Sequence, residues 1–158
     1  MERYSRILRH SLFLEYIDNI ERLERERIYC GHSIEHLTAV ARIAYIEVLE
    51  KGLTYDKDII YAMGLLHDIG RTLQYTCGVP HEAGGVTLAD RILRDCGYTE
   101  QEIKTVADAI AGHRVKQTAE NGAAGILYRA DKLSRECYLC KAADTCNWPE
   151  EQRNHGII

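Results

Sequence analysis

The stretch IIYAMGLLHDIGR, residues 59–71, decides the fold. It is apolar nearly all round for two turns, which is the pattern of a central buried helix rather than of one lying at a surface. Asp56 supplies an N-cap, and the predicted helix runs to Gly70. Just before Gly70 it delivers an imidazole and a carboxylate, His67 and Asp68. A carboxylate there meets the negative end of the helix dipole, and apolar surroundings make its desolvation costly. Such a group needs a cation, and either a bound metal or an arginine partner would serve.

Working outward, helices flank this one on both sides. Upstream, Ile34, Leu37, Ala41, Ala44 and Val48 form an amphipathic stripe that starts near His32 or Ser33 and stops at Gly52. Before it, Ile7, Leu8, Leu12, Tyr16, Ile20 and Leu23 predict one helix across 7–23. Downstream, RTLQYTCGVP (71–80) reads as a loop leading to His81. A fourth helix follows through LADRIL and ends at Gly97. Thr99 with Glu102 forms a capping-box pattern that opens a fifth. RVKQTAENG (114–122) is a polar connector, and AAGILYRADKLSREC (123–137) a sixth helix. No alternating strand pattern of useful length interrupts the series. The expectation is an all-α, compact single-domain helical bundle over residues 1–158.

Hydrophobic residues make up 46% and charged residues 28% of the 158, an ordinary globular balance. The formal charge of −4 is not the basic field that holds nucleic acid polymers, so none is expected as a partner. No run is long enough for a membrane span, and the charged, uneven N-terminus does not read as a signal peptide; a cytoplasmic location is the default expectation. Six cysteines in that setting argue against a disulfide framework. Cys137, Cys140 and Cys146 cluster in the tail 136–158. They read either as buried free thiols or as zinc ligands, the latter needing a fourth donor from Cys77, Cys30 or His155. His10 and His155 read as surface residues.

Two further side chains complete a pattern with His67 and Asp68. His36 lies on the preceding helix in HLTAVARIA, and Asp131 on the sixth in YRADKLSR, so three helices each present a metal-competent group beside an apolar face. Such nitrogen and oxygen ligands suit Zn, Mn, Fe or Co better than Ca. The order His36-x-x-x-Val40-Ala41-x-x-Ala44, then LLHDIGR, then ADKLSR resembles the HD-domain metal-dependent phosphohydrolase superfamily across residues 30–135. The resemblance implies that His36, His67, Asp68 and Asp131 bind a divalent transition metal. His32, one turn before His36, is the rival for the first ligand, though the apolar positions after His36 fit the family pattern and those after His32 do not. His81 and His113 resemble the extra histidines of branches that hold two ions, with Asp68 bridging; capping and hydrogen bonding are the alternative roles.

What the resemblance implies about function is hydrolysis of a small phosphate ester, a nucleotide or phosphorylated metabolite. One or two ions would polarise a phosphoryl oxygen and acidify the attacking water. Asp68 would place the metal and accept a proton. Arg71 would clamp phosphate with its planar fork. Lys132 and Arg114 or Lys116 would add charge, although Lys132 could equally form a helix-surface salt bridge. Ten tyrosines and one tryptophan either line a base pocket or fill the core. A di-iron oxygenase and a non-catalytic nucleotide-binding module are the competing classes, and a homo-oligomer is left open.

Overall fold

The computed structural model describes residues 2–115 and 122–157. Among these the chain is all-α, with eight helices and no strand: α1 (Tyr4–Ile7), α2 (Ser11–Leu23), α3 (Ile34–Glu50), α4 (Lys57–Leu66), α5 (Arg71–Cys77), α6 (His81–Asp95), α7 (Glu100–Gly112) and α8 (Ala123–Leu133). Lys116 and most of the polar connector lie outside the described residues.

α4 sits at the centre, as its composition requires, packed by α1, α3, α7 and α8. Its Ala62, Met63, Leu65 and Leu66 are buried against Leu37, Val40 and Ala44 of α3, Val106 and Ile110 of α7, and Ile126 and Leu127 of α8, within one continuous apolar cluster. α3 approaches α4 so closely that a Cβ on Gly64 would lie 2.4 Å from the Ala41 Cα. Only glycine fits that crossing. Asp56 caps α4 by accepting the Asp58 N–H, and Thr99 with Glu102 closes the expected capping box on α7. No helix among the described residues is long and apolar enough to cross a membrane.

The structure departs from the sequence reading in four places. The first predicted helix is two: the chain breaks at His10, whose ring accepts the Leu12 N–H at 3.2 Å and lies 3.1 Å from Asp95. His10 is therefore a half-buried cap, not a bare surface residue. Residues 71–77, read as loop, are a helix that ends at Gly78 in the left-handed conformation, φ 70°. Seven residues are too few to show a period, and α5 is held by tertiary contacts: it packs on α2 and α6, and the buried Thr72 donates to the Tyr16 carbonyl. α4 ends at Leu66, so His67 to Gly70 form a tight turn between two helices. The last long helix stops at Leu133, four residues early, where the Ser134 hydroxyl turns back onto the Asp131 carbonyl at 2.7 Å.

Candidate metal centre

The turn after α4 pushes His67 and Asp68 into the interior, both essentially without exposure. α3 brings His36, the last turns of α8 bring Asp131, the first residue of α6 is His81, and His113 caps the end of α7. All six are buried. Ligand atoms of His36, His67, Asp68 and Asp131 lie within 4.8 Å of one another, and so do those of Asp68, His81 and His113. The two groups share Asp68. His32 belongs to neither: its Nε2 is 3.8 Å from Asp68 Oδ2, while its Nδ1 and backbone N–H are taken by the Glu24 carboxylate.

His81 reaches this point because of a backbone contact. A Cβ on Gly70 would fall 2.0 Å from the His81 carbonyl oxygen, so the start of α6 rests directly on the turn that carries Asp68. Glycine is obligatory for that approach.

Three of the imidazoles are oriented in one sense. Nδ1 of His67 lies 2.8 Å from the Gly64 carbonyl, and Nδ1 of His113 2.6 Å from the Ile110 carbonyl. Carbonyls only accept, so these nitrogens carry protons. Nδ1 of His36 meets Ser134 Oγ at 3.1 Å, and that hydroxyl is already donating to the Asp131 carbonyl. The Nε2 atoms are thus aimed inward, those of His36 and His67 only 3.3 Å apart. Outer hydrogen bonds of this kind fix a metal-binding tautomer. His81 goes further: neither ring nitrogen makes a well-formed hydrogen bond, although Nε2 is 3.4 Å from Asp68 Oδ1 and Nδ1 3.2 Å from Glu82 Oε2.

The electrostatics favour a cation at this spot. Burial pushes His36 down to about 4 and, with the Arg71 charge adding, His81 to about 4; burial and the neighbouring His67 lower His113 as well. These rings are neutral donors near neutrality. Burial would lower His67 too, but the Asp68 carboxylate 3.0 Å away outweighs it and raises the imidazole. Burial opposes ionisation of Asp68, yet the His67 charge, 3.0 Å from the carboxylate, holds it well below the usual carboxylate range. Asp131 is held low by the Arg135 charge against the same burial. Converging carboxylates, inward nitrogens and an orphaned buried imidazole fit a divalent metal, and the residues present could hold one ion in each group.

Two residues of the centre, His113 and Asp131, reach the wall of a cavity of about 540 Å³, a size suited to a small ligand, and the other four lie buried behind it. Among the residues lining it, Arg27, Arg71, Arg114, Lys132 and Arg135 are cationic and Asp131 alone is acidic. Arg71 donates to Asp68 Oδ1 at 3.0 Å, so Asp68 has the arginine partner as well as a place in both ligand groups. Lys132 contacts Asp131 Oδ2 at 2.7 Å and sits over the rings of Tyr128 and Trp148, 5.2 and 4.6 Å from their centroids. Trp148 belongs to the tail, which roofs the cavity.

Sequence reasoning missed Arg135 and Glu24. Arg135 is buried; it donates to the Gly31 carbonyl at 2.6 Å, to His36 Nε2 at 3.0 Å and to Asp131 Oδ1 at 3.3 Å. Its position four residues after Asp131 was an available signal. Glu24 had none, since it meets His32 only across a loop.

Comparison with known proteins places this architecture. The family model described as HD domain matches residues 33–146. An uncharacterized protein of Clostridium beijerinckii is 42% identical over 157 residues, 99% of each chain. Ribonuclease Y of Clostridium tetani is 30% identical over 125 residues, and that of Thermus thermophilus 34% over 118; these cover 79% and 75% of this chain. The chain spans only about a fifth of the length of those ribonucleases, 22% and 19%. A crystal structure of a predicted HD superfamily hydrolase from an uncultured Thermotogales bacterium superimposes with a TM-score of 0.63 over 89% of this chain and 80% of that one, at 23% identity. With the family model covering well over half of its length, this chain belongs to the HD domain family.

Proposed function

We propose that this chain is a metal-dependent phosphohydrolase acting on a small phosphate ester, a nucleotide or related metabolite. The observation that carries the reading is a buried His/Asp cluster that could hold two ions, opening through His113 and Asp131 onto a cavity lined by five cations. His36, His67, Asp68 and Asp131 would hold one divalent ion; Asp68, His81 and His113 would hold a second. Bound there, divalent cations of the Fe, Mn, Zn or Co type supply charge neutralisation for phosphoryl oxygens and acidify water.

The chain's own groups do the rest. Arg71, hydrogen-bonded to Gln74 through Nη1 and to Asp68 through Nε, is held at the cavity wall and presents its guanidinium edge to a phosphate. Lys132 and Arg114 add positive charge on the same wall, stabilising oxygens that gain charge in the transition state. Asp68, ionised and common to both ligand groups, would hold the two ions in place. Trp148, Tyr128 and Tyr29 give the outer cavity aromatic faces against which a base can stack.

The kinship with ribonucleases Y favours a second reading, phosphodiester cleavage. Tail residues from Thr145 to Gln152 narrow the cavity on one side and the chain carries net negative charge, which suits a mononucleotide better than a polymer. The test is a panel of nucleoside mono- and polyphosphates, a dinucleotide and a short RNA, assayed with Mn2+, Co2+, Fe2+ and Zn2+ and with chelator. Phosphate release from a small ester that chelator abolishes is the expected result. Cleavage of the RNA alone favours the second reading. Oxygen consumption by iron-loaded protein with no ester cleaved would replace both with an oxygenase.

A further inference from the structure

After α8 the chain makes only three three-residue 3-10 turns, at Cys137–Leu139, Ala143–Thr145 and Glu150–Gln152, and none of them buries a residue. A segment without a core of its own is ordinarily held by a staple, a disulfide or a metal. The cysteines are free thiols, and Cys137, Cys140 and Cys146 are half-buried rather than packed in the interior. The turn at Cys137 is closed by the Cys140 N–H on the Cys137 carbonyl at 3.2 Å. With three residues per turn, side chains at i and i+3 eclipse, which sets the two thiols one above the other.

The fourth thiol comes from the body. Tyr29 donates to the Thr145 carbonyl at 3.2 Å, and Arg135 to the Gly31 carbonyl at 2.6 Å, so the residues on either side of Cys30 are tied to the tail. Cys30, also half-buried, shares one cavity of about 400 Å³ with Cys137 and Cys140 and lines the larger cavity with Cys146. Burial pushes the Cys30 thiol up, and the charges of Cys137, Cys140 and Cys146 add to it, so all three lie within electrostatic reach. The other donors are elsewhere: Cys77 is exposed at the end of α5, Cys96 is buried beyond α6, and His155 pairs with Glu150. Among the described residues, the groups whose ligand atoms fall within 4.8 Å of one another are the two His/Asp ones, so the four sulfurs share a neighbourhood but not yet one coordination sphere, and a bound ion has to draw them in. Neutral thiols have no mutual attraction to draw them together, whereas a thiophilic cation does, and binding it completes the fold.

We infer that Cys30, Cys137, Cys140 and Cys146 form a four-thiolate site for a structural zinc ion that staples the tail over the cavity. On binding, the thiols release their protons to solvent and the ion takes a closed tetrahedral shell, distinct from the His/Asp centre. Cobalt substitution separates the two centres, since only thiolate ligation produces an intense sulfur-to-cobalt charge-transfer band in the near ultraviolet. Full-length protein loaded with Co2+ should show the band. It should survive in Cys77→Ser and His36→Ala and vanish in Cys30→Ser and Cys140→Ser. On the unmutated protein, alkylation followed by mass spectrometry should find these four cysteines protected by zinc and exposed by chelator. No band in the wild type, a band that survives Cys30→Ser, or alkylation indifferent to zinc would overturn the inference.

Discussion

The interior around α4 and the tail after α8 are built by opposite means. Around α4, packing is so close that two glycines, Gly64 and Gly70, are needed for neighbouring backbones to pass. Side chains there leave no freedom, and polar groups such as His67 and Asp68 are held by burial and reciprocal charge. The tail has no buried residue in any of its three turns and is anchored by side chains reaching for backbone: Asn154 to the Leu133 and Arg135 carbonyls, Arg153 to those of Cys146 and Trp148. The contrast assigns different duties. A rigid interior suits ligands that must meet within tenths of an ångström, while a lightly attached roof suits a surface that decides which substrate stays.

The sharpest way to break this comparison is at Asp68, the residue common to both ligand groups. Asp68→Ala should remove metal from both positions and lower kcat/KM by at least ~10³-fold, the scale of losing several kcal/mol of charge stabilisation. Metal analysis beside steady-state kinetics checks it, and retained metal with retained turnover would move the chemistry elsewhere.

Arg71 lines the cavity and bonds Asp68 at its edge. Arg71→Ala should leave metal content unchanged and cut kcat/KM by ~10- to 1,000-fold, as expected for one or two charge-assisted hydrogen bonds. Arg71→Lys should recover only part, because an ammonium lacks the planar fork. Wild-type rates from the alanine variant would reduce Arg71 to the structural partner of Asp68.

Gly70→Ala tests the interior's rigidity directly. A methyl group 2.0 Å from the His81 carbonyl must push α6 off the turn. The expected cost is ~1–3 kcal/mol of stability, typical of overpacking, read as a lowered Tm and accompanied by weaker occupancy at the Asp68, His81 and His113 group. An unchanged Tm would mean that the contact is slack.

The smallest expected effect belongs to the tail. Trp148→Ala should raise KM by ~3- to 10-fold for a nucleoside phosphate, about the worth of one aromatic stacking contact, and leave Tm and His/Asp-centre metal content unchanged. Equal KM values for the nucleoside phosphate and a simple alkyl phosphate in the wild type would deny the roof any part in selection.

The helical character of the chain was written in the sequence by itself, because apolar residues recur with helical period and Asp56, Thr99, Gly52 and Gly97 punctuate them. His67 and Asp68 could be singled out for the same local reason: polar groups at the end of an all-apolar helix are costly unless something compensates them. Tertiary structure alone decided the rest. α5 exists because α2 and α6 hold it, not because its seven residues favour a helix. The resemblance already favoured His36 over His32, but the physical reason, Glu24 taking the His32 ring and backbone N–H across a loop, is visible only in the fold. The links from Arg135 to Gly31 and from Tyr29 to Thr145 join residues more than a hundred positions apart, and they bring Cys30 to the tail's three thiols. Periodicity and capping report on neighbours within a turn or two of helix. Which distant groups face one another is set only when the buried faces of α3, α4, α7 and α8 close on each other.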